Sequence, residues 1–170
     1  MQASWRPLTE TDLAEVHRLA AAAHPDMGER LEVFAEKFRL YPEGCFALDL
    51  DGAVRGYLIS HPWRLWDAPA LDSFLGALPS APDCLYLHDL ALAPEARGRG
   101  AAAAVIERAA ALAAGKGLAD MALVSVRGTG AFWAHAGFRD APDPRLAAKL
   151  ATYGADARYR VRRIGALTPE

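Results

Sequence analysis

An apolar run, Cys84–Leu92, ends in Ala93-Pro94-Glu95-Ala96-Arg97-Gly98-Arg99-Gly100 and passes at once into an alanine-rich segment, Ala101–Ala114. The run has the length and composition of a strand, and the alanine segment is helical by intrinsic preference. The glycines between them permit a tight turn that other residues disfavour. A second apolar run, Met121–Val126, follows, so the segment reads as a βαβ unit, which demands a parallel strand pair. A glycine turn at a helix N-terminus points backbone N–H groups together where partial positive charge collects, and so suits a phosphate or diphosphate. Arg97 and Arg99 add fixed cations, and Ala101–Ala104 leave room beside the first helical turn. An ordinary strand-to-helix turn with solvated arginines carries the same signature.

The rest of the chain fits around this unit as one mixed α/β domain over residues 1–170. Ser4–Leu8 reads as a first strand, and Thr9-Glu10-Thr11-Asp12 approximates a capping box. Leu13, Val16, Leu19 and Ala20 then set a helix running to Ala23. His24-Pro25-Asp26-Met27-Gly28 breaks it, and a second helix is expected over Glu29–Leu40. Cys45–Leu50, Asp51-Gly52 and Val54–Ser60 form a hairpin signature, with Asp-Gly supplying the positive φ angles of the turn. Residues 62–83 are irregular, and long loops in compact domains are often functional. A short helix over Gly128–Ala136 and strands at Phe138–Asp140 and Arg158–Ile164 complete the order βααβββαβαβ…β.

Composition removes several function classes. Net charge is −2 and charged residues make up 24 %, which argues against a nucleic-acid partner. No apolar run has the length of a membrane span or of a signal peptide, and Cys45 and Cys84 fit no CxxC spacing. We therefore expect a cytoplasmic protein with reduced thiols and no membrane contact. His24 and His61 share no ligand spacing with a neighbour, so no metal site is expected.

Two nucleotide readings of the glycine turn fail on context. Gly98-x-Gly100-x-x-Ala103 with Asp120 mimics a dinucleotide fingerprint, but Asp120 stands at the start of the next strand, whereas the acid should stand at its end. A Walker loop lacks its Gly-Lys-Ser/Thr. The segment Arg97-x-x-Gly100-x-Ala102, preceded by Leu90-Ala91-Leu92-Ala93-Pro94, instead resembles motif A of the GNAT (GCN5-related) N-acetyltransferases. Phe132-Trp133-Ala134-His135-Ala136-Gly137-Phe138 resembles that family's aromatic-x-x-x-Gly-Phe segment, and Trp5–Leu13 is similar to common family openings.

The resemblance implies an acyl-CoA N-acyltransferase fold whose central parallel strands splay apart. It also implies an acetyltransferase that uses acetyl-CoA as co-substrate and a small-molecule amine as acceptor. Leu90, Ala91 and Leu92 would offer backbone to the pantetheine arm. Arg97, Gly98, Arg99, Gly100, Ala101 and Ala102 would hold the diphosphate, with Thr129, Phe132 and Trp133 bordering the arm from the other side. Transfer needs a base for the amine and donors for the developing oxyanion, among them an N–H near Leu92. His88 is the favoured base, on a segment similar to that of arylalkylamine N-acetyltransferases. Asp89 is the alternative, as base or as anchor for a substrate cation. Strand alternation puts these two side chains on opposite faces, His88 with Tyr86, Leu90 and Leu92. The family's acidic tyrosine is replaced by Trp133, whose indole is no useful acid. The acceptor site is expected from His24–Glu29 and from His61–Asp83, where Trp63, Trp66 and Phe74 alternate with Asp67, Asp72 and Asp83; a loop that buries its aromatics against the sheet is the equal alternative. Many relatives dimerise, and the C-terminal strand is a route to a homodimer. A non-catalytic acyl-CoA-binding module and a protein or peptide N-acetyltransferase are the competing readings.

Overall fold

The computed structural model of the protein describes residues 2–126 and 128–165. Seven strands form one mixed sheet: β1 (Ala3–Pro7), β2 (Cys45–Leu50), β3 (Ala53–Trp63), β4 (Cys84–Leu92), β5 (Asp120–Ser125), β6 (Arg139–Asp140) and β7 (Arg158–Arg163). Their spatial order is β1-β2-β3-β4-β5-β7-β6. The four N-terminal strands pair antiparallel, β4 and β5 pair parallel, and β7 inserts antiparallel beside β5. The helices are α1 (Leu13–Ala23), α2 (Leu31–Leu40), α3 (Ala101–Gly115), α4 (Gly130–His135) and α5 (Ala147–Ala151). The β2–β3 turn is tight, with Asp51 at φ 53° and Gly52 at φ 84°. The acidic residue ending the predicted N-cap does its expected work: the Asp12 carboxylate accepts the Thr9 N–H at 2.8 Å and grips the Arg6 guanidinium at 2.7 and 3.0 Å.

Each sheet face is covered by a different pair of helices. Val105, Ile106 and Ala109 of α3 pack on Leu85 and Leu87 of β4 and on Met121 and Leu123 of β5, with Trp133 and Phe138 closing that cluster. On the other face Val16 and Leu19 of α1 and Phe34 of α2 pack against Tyr57, Ile59 and Ala91. The far half of that second face is covered by the 64–83 loop and the 141–157 segment, where Ala68 and Leu146 meet Trp63, Cys84, Tyr86 and Tyr159. Cys45 and Cys84 are buried free thiols, and burial pushes Cys45 up to about 12.

One strand end differs from the sequence expectation, and the place of another strand had no sequence expectation. Strand β3 runs on through Pro62 to Trp63, paired to Leu85 and Cys84, rather than ending at Ser60. The C-terminal strand lies inside the sheet, between β5 and β6.

Candidate active site

Strands β4 and β5 are partnered only at Cys84–Asp120, Leu85–Met121 and Tyr86–Ala122. Beyond Tyr86 they diverge, because β4 stays bonded to β3 as far as Leu92 while β5 stays bonded to β7 as far as Ser125. The edge of β4 turned toward β5 therefore has no strand partner from Leu87 onward. Unpaired strand edges are templates for any extended group with its own amides. A cavity of 580 Å³ opens in this gap.

The glycine turn closes one end of the cavity. Gly98 and Gly100 stand at φ 73° and 75°, a left-handed conformation that glycine alone adopts without strain. A Cβ built on either meets no atom within 4 Å, so the turn's open side is free for a ligand. Gly100 is the cap of α3, and the N-terminal amides of that helix lack helical partners. The Trp5 indole N–H donates to the Ala101 carbonyl at 2.8 Å and ties the turn to β1. Arg97 lines the cavity, and its Nε donates to the Leu92 carbonyl at 3.1 Å. Arg99 is exposed on the same turn and does not line the cavity. Leu90, Ala91, Leu92, Gly98, Ala101 and Ala102 line it, and Thr129, Phe132 and Trp133 face them from the β5–α4 side. Trp133 is also core, edge-on to Phe138 at 5.3 Å, whereas Phe132 is exposed. This turn fits a diphosphate and the free edge fits an amide-bearing arm, which is the chemistry of coenzyme A.

A family model described as the acetyltransferase (GNAT) family matches residues 11–138. The chain belongs to the GNAT acetyltransferase family. No curated protein matches it. Among solved structures it is similar to the loading GNATL domain of CurA from Lyngbya majuscula, with TM-score 0.80 and 13 % identity over 96 % of this chain and 98 % of that one. It is similar to the ribosomal-protein-S18-alanine N-acetyltransferase from Escherichia coli, with TM-score 0.68 and 18 % identity over 99 % and 97 % of the two chains. The N-acetylglutamate synthase from Neisseria gonorrhoeae, complexed with coenzyme A and N-acetyl-glutamate, gives TM-score 0.68 and 20 % identity over 97 % of this chain and 36 % of that one. These likenesses share the fold; one description names a ribosomal protein and another N-acetyl-glutamate. The chain is thus a GNAT acyltransferase, with a co-substrate of the acetyl-CoA type.

In this GNAT fold the far end of the cavity departs from simple strand alternation. Ile59 pairs with Asp89 and Ser60 with Leu87, so His88 has no partner on β3 and forms a bulge. The extra residue turns both His88 and Asp89 toward α1 and α2. His88 lies edge-on to Phe34 with ring centres 6.5 Å apart, and Asp89 accepts the hydroxyl of Tyr57 at 2.7 Å. Leu87 and Leu90 go to the α3 face instead. The expectation of opposite faces is corrected by this bulge, which no residue type in Leu87–Leu90 announces.

His88 and Asp89 live in different electrostatic settings. The His88 side chain has no exposed surface; its Nε2 lies 3.0 and 3.2 Å from the two oxygens of Glu29, and its buried Nδ1 finds no hydrogen-bond partner among the described residues. Glu29 precedes α2; burial alone would raise its carboxyl, but the charge and hydrogen bond of His88 bring it below the ordinary value. Asp89 keeps a little exposed surface, with His24 Nε2 at 3.6 Å, and that contact raises the His24 pKa. Behind His88 lies His61, pushed down to about 3 by burial and therefore neutral.

The acceptor end is built differently from expectation on one side. His24, Met27 and Glu29 line it as expected of the α1–α2 loop, but from residues 61–83 only Leu71 does. Trp63 is core, Trp66 lies over Tyr159, and Phe74 sits under the Arg30 guanidinium at 5.1 Å. The acids of that loop are occupied too: Asp67 by Lys149, Asp72 by Arg30, and Asp83 by the Leu65 N–H. Tyr153, from the segment after α5, also lines the cavity, and its hydroxyl donates to the Pro69 carbonyl at 2.8 Å. Tyr153 is a site residue that strand and motif patterns did not single out, and Glu29 was expected only as the end of the α1–α2 loop.

Proposed function

We propose that this GNAT protein acts in the cytoplasm and moves the acetyl group of acetyl-CoA onto the primary amine of a small molecule. The observation that carries the reading is that one cavity joins the glycine turn to an acceptor end walled by Ala20, Ala23, Met27, Phe34 and Leu71. Its 580 Å³ is in the range of small-molecule sites. The apolar wall with two carboxylates, Asp89 and Glu29, suits an amine carrying an apolar group.

When bound, acetyl-CoA supplies an acyl carbon activated as its thioester. The amides from Arg97 to Ala102 and the N-terminus of α3 hold the diphosphate, with Arg97 and Arg99 as cations. The free edge of β4 over Leu90–Leu92 aligns the arm, and Thr129, Phe132 and Trp133 border it. Asp89 anchors the acceptor's cationic nitrogen. His88 then receives a proton from that nitrogen through one water that must enter with the acceptor, because its side chain has no exposed surface in the free protein. The nitrogen forms a C–N bond to the acyl carbon as the C–S bond breaks, and an N–H near Leu92 supports the charge on oxygen. Sulfur leaves as thiolate and takes a proton from solvent, since Trp133 provides no acid, while the new amide nitrogen releases its remaining extra proton to water.

The test is thiol release from acetyl-CoA against a panel of amines and N-terminal peptides. Apolar primary amines should release thiol, and His88→Ala should lower turnover by about 10²-fold or more with CoA affinity nearly unchanged. Release with peptides alone would assign the acceptor to proteins. CoA binding with no release above background would leave an acyl-CoA-binding module.

A further inference from the structure

The pair formed by His88 and Glu29 in the cavity wall is fastened by a chain of further hydrogen bonds. The Asp72 N–H donates to Glu29 Oε2 at 3.1 Å. Asp72 is fixed in turn by the Arg30 N–H at 2.9 Å and the Arg30 Nε at 3.1 Å. Lys37 Nζ donates to the Ser73 carbonyl at 2.9 Å, and Glu36 accepts the Leu75 and Gly76 N–H groups at 2.6 and 3.0 Å. The polar work of residues 72–76 is thus to clasp α2 and the carboxylate before it. A carboxylate so fastened beside an imidazole nitrogen fixes both ring orientation and tautomer, because Nε2 must carry the hydrogen it donates.

Building on the reading of His88 as the base, we propose that Glu29 is its positioning residue. Glu29 holds the neutral imidazole as the Nε2–H tautomer and leaves the Nδ1 lone pair to accept the acceptor's proton. In the step, one proton leaves the acceptor nitrogen, passes over the bridging water and ends on Nδ1. The resulting imidazolium is stabilised by the Glu29 carboxylate against its Nε2–H. The unpartnered, buried Nδ1 is the second observation, since buried ring nitrogens are nearly always bonded unless a ligand or water completes them.

The charged and titratable groups facing this pair come from every element around it. They are His24 and Asp72 of the flanking loops, Lys37 of α2, Tyr57 and His61 of β3, Tyr86 and Asp89 of β4, and Tyr153. Burial keeps His61 neutral, and it pushes the Tyr86 and Tyr153 phenols far above neutrality. Among these described groups and the pair itself, Glu29 alone is hydrogen-bonded to the His88 ring.

The experiment compares wild type, Glu29→Gln and His88→Ala as full chains. Imidazole ¹⁵N shifts of the ligand-free protein report the tautomer, and pH profiles of kcat report the base. Wild type should show the Nε2–H tautomer, and Glu29→Gln a mixture. In Glu29→Gln, kcat should fall roughly 10- to 100-fold and the acid limb of its profile should move to lower pH, with Kd for CoA unchanged. Unchanged ¹⁵N shifts and an unchanged acid limb in Glu29→Gln, alongside an inactive His88→Ala, would overturn the role of Glu29 alone. A fully active His88→Ala would overturn the base assignment beneath it.

Discussion

Replacing Gly100 separates the cost of a strained backbone from the loss of a diphosphate cradle. Gly100 stands at φ 75° and a Cβ there touches no protein atom within 4 Å. Gly100→Ala therefore costs only the left-handed conformation, about 1–2 kcal/mol. That corresponds to a Tm drop of roughly 2–8 °C in a chain of this size. Gly100→Glu should lower Tm by a similar amount, because its side chain also projects into open space. Binding is another matter. A carboxylate about 5 Å from one diphosphate charge, at an effective dielectric constant of about 20, adds roughly 3 kcal/mol of repulsion. Titration calorimetry should then show Gly100→Glu binding CoA about 100-fold more weakly than Gly100→Ala. The gap should narrow with added salt. Pantetheine, which lacks the diphosphate, should bind both variants alike. Equal CoA affinities for the two variants, or an equal penalty with pantetheine, would refute the placement of the diphosphate at this turn.

Two further outcomes follow from packing and charge. Ile106 is buried between α3 and the β4–β5 pair, so Ile106→Ala should cost about 2–5 kcal/mol, read as a lower urea midpoint at unchanged slope. The hydrogen bond from Arg6 holds the Asp12 carboxyl at about 2 although burial opposes it. Because the folded-state value lies below the unfolded one, this contribution is fully present above about pH 4 and is lost as pH falls toward 2. It amounts to about 2 kcal/mol, so Asp12→Asn should lower stability at pH 7 by that order and flatten the loss between pH 4 and 2.

The element order and the glycine turn were legible in the sequence because both rest on local chemistry. Alternating apolar runs, Asp51-Gly52 and the alanine segment after Gly100 each state their backbone preference within a few residues. The glycine turn was legible for the same reason: Gly98 and Gly100 take the positive φ that their residue type permits. The aromatic loop stayed open between two readings because Trp63, Trp66 and Phe74 carry no mark of which surface they cover. Their acids are likewise spoken for by Lys149, Arg30 and the Leu65 N–H, partners far off in sequence or unmarked by it.

What the sequence alone determined is the βαβ unit, the turn that ends it and the chemical types at its catalytic strand. Only the tertiary structure decided that β4 and β5 part after three residue pairs, since each strand is pulled by its other neighbour. It alone decided that a bulge at His88 sends two adjacent side chains the same way, and that Glu29 arrives beside the imidazole from fifty-nine residues upstream. Register between strands and contact between distant segments are set by the sum of packing over the whole sheet, and no short window of residues encodes that sum.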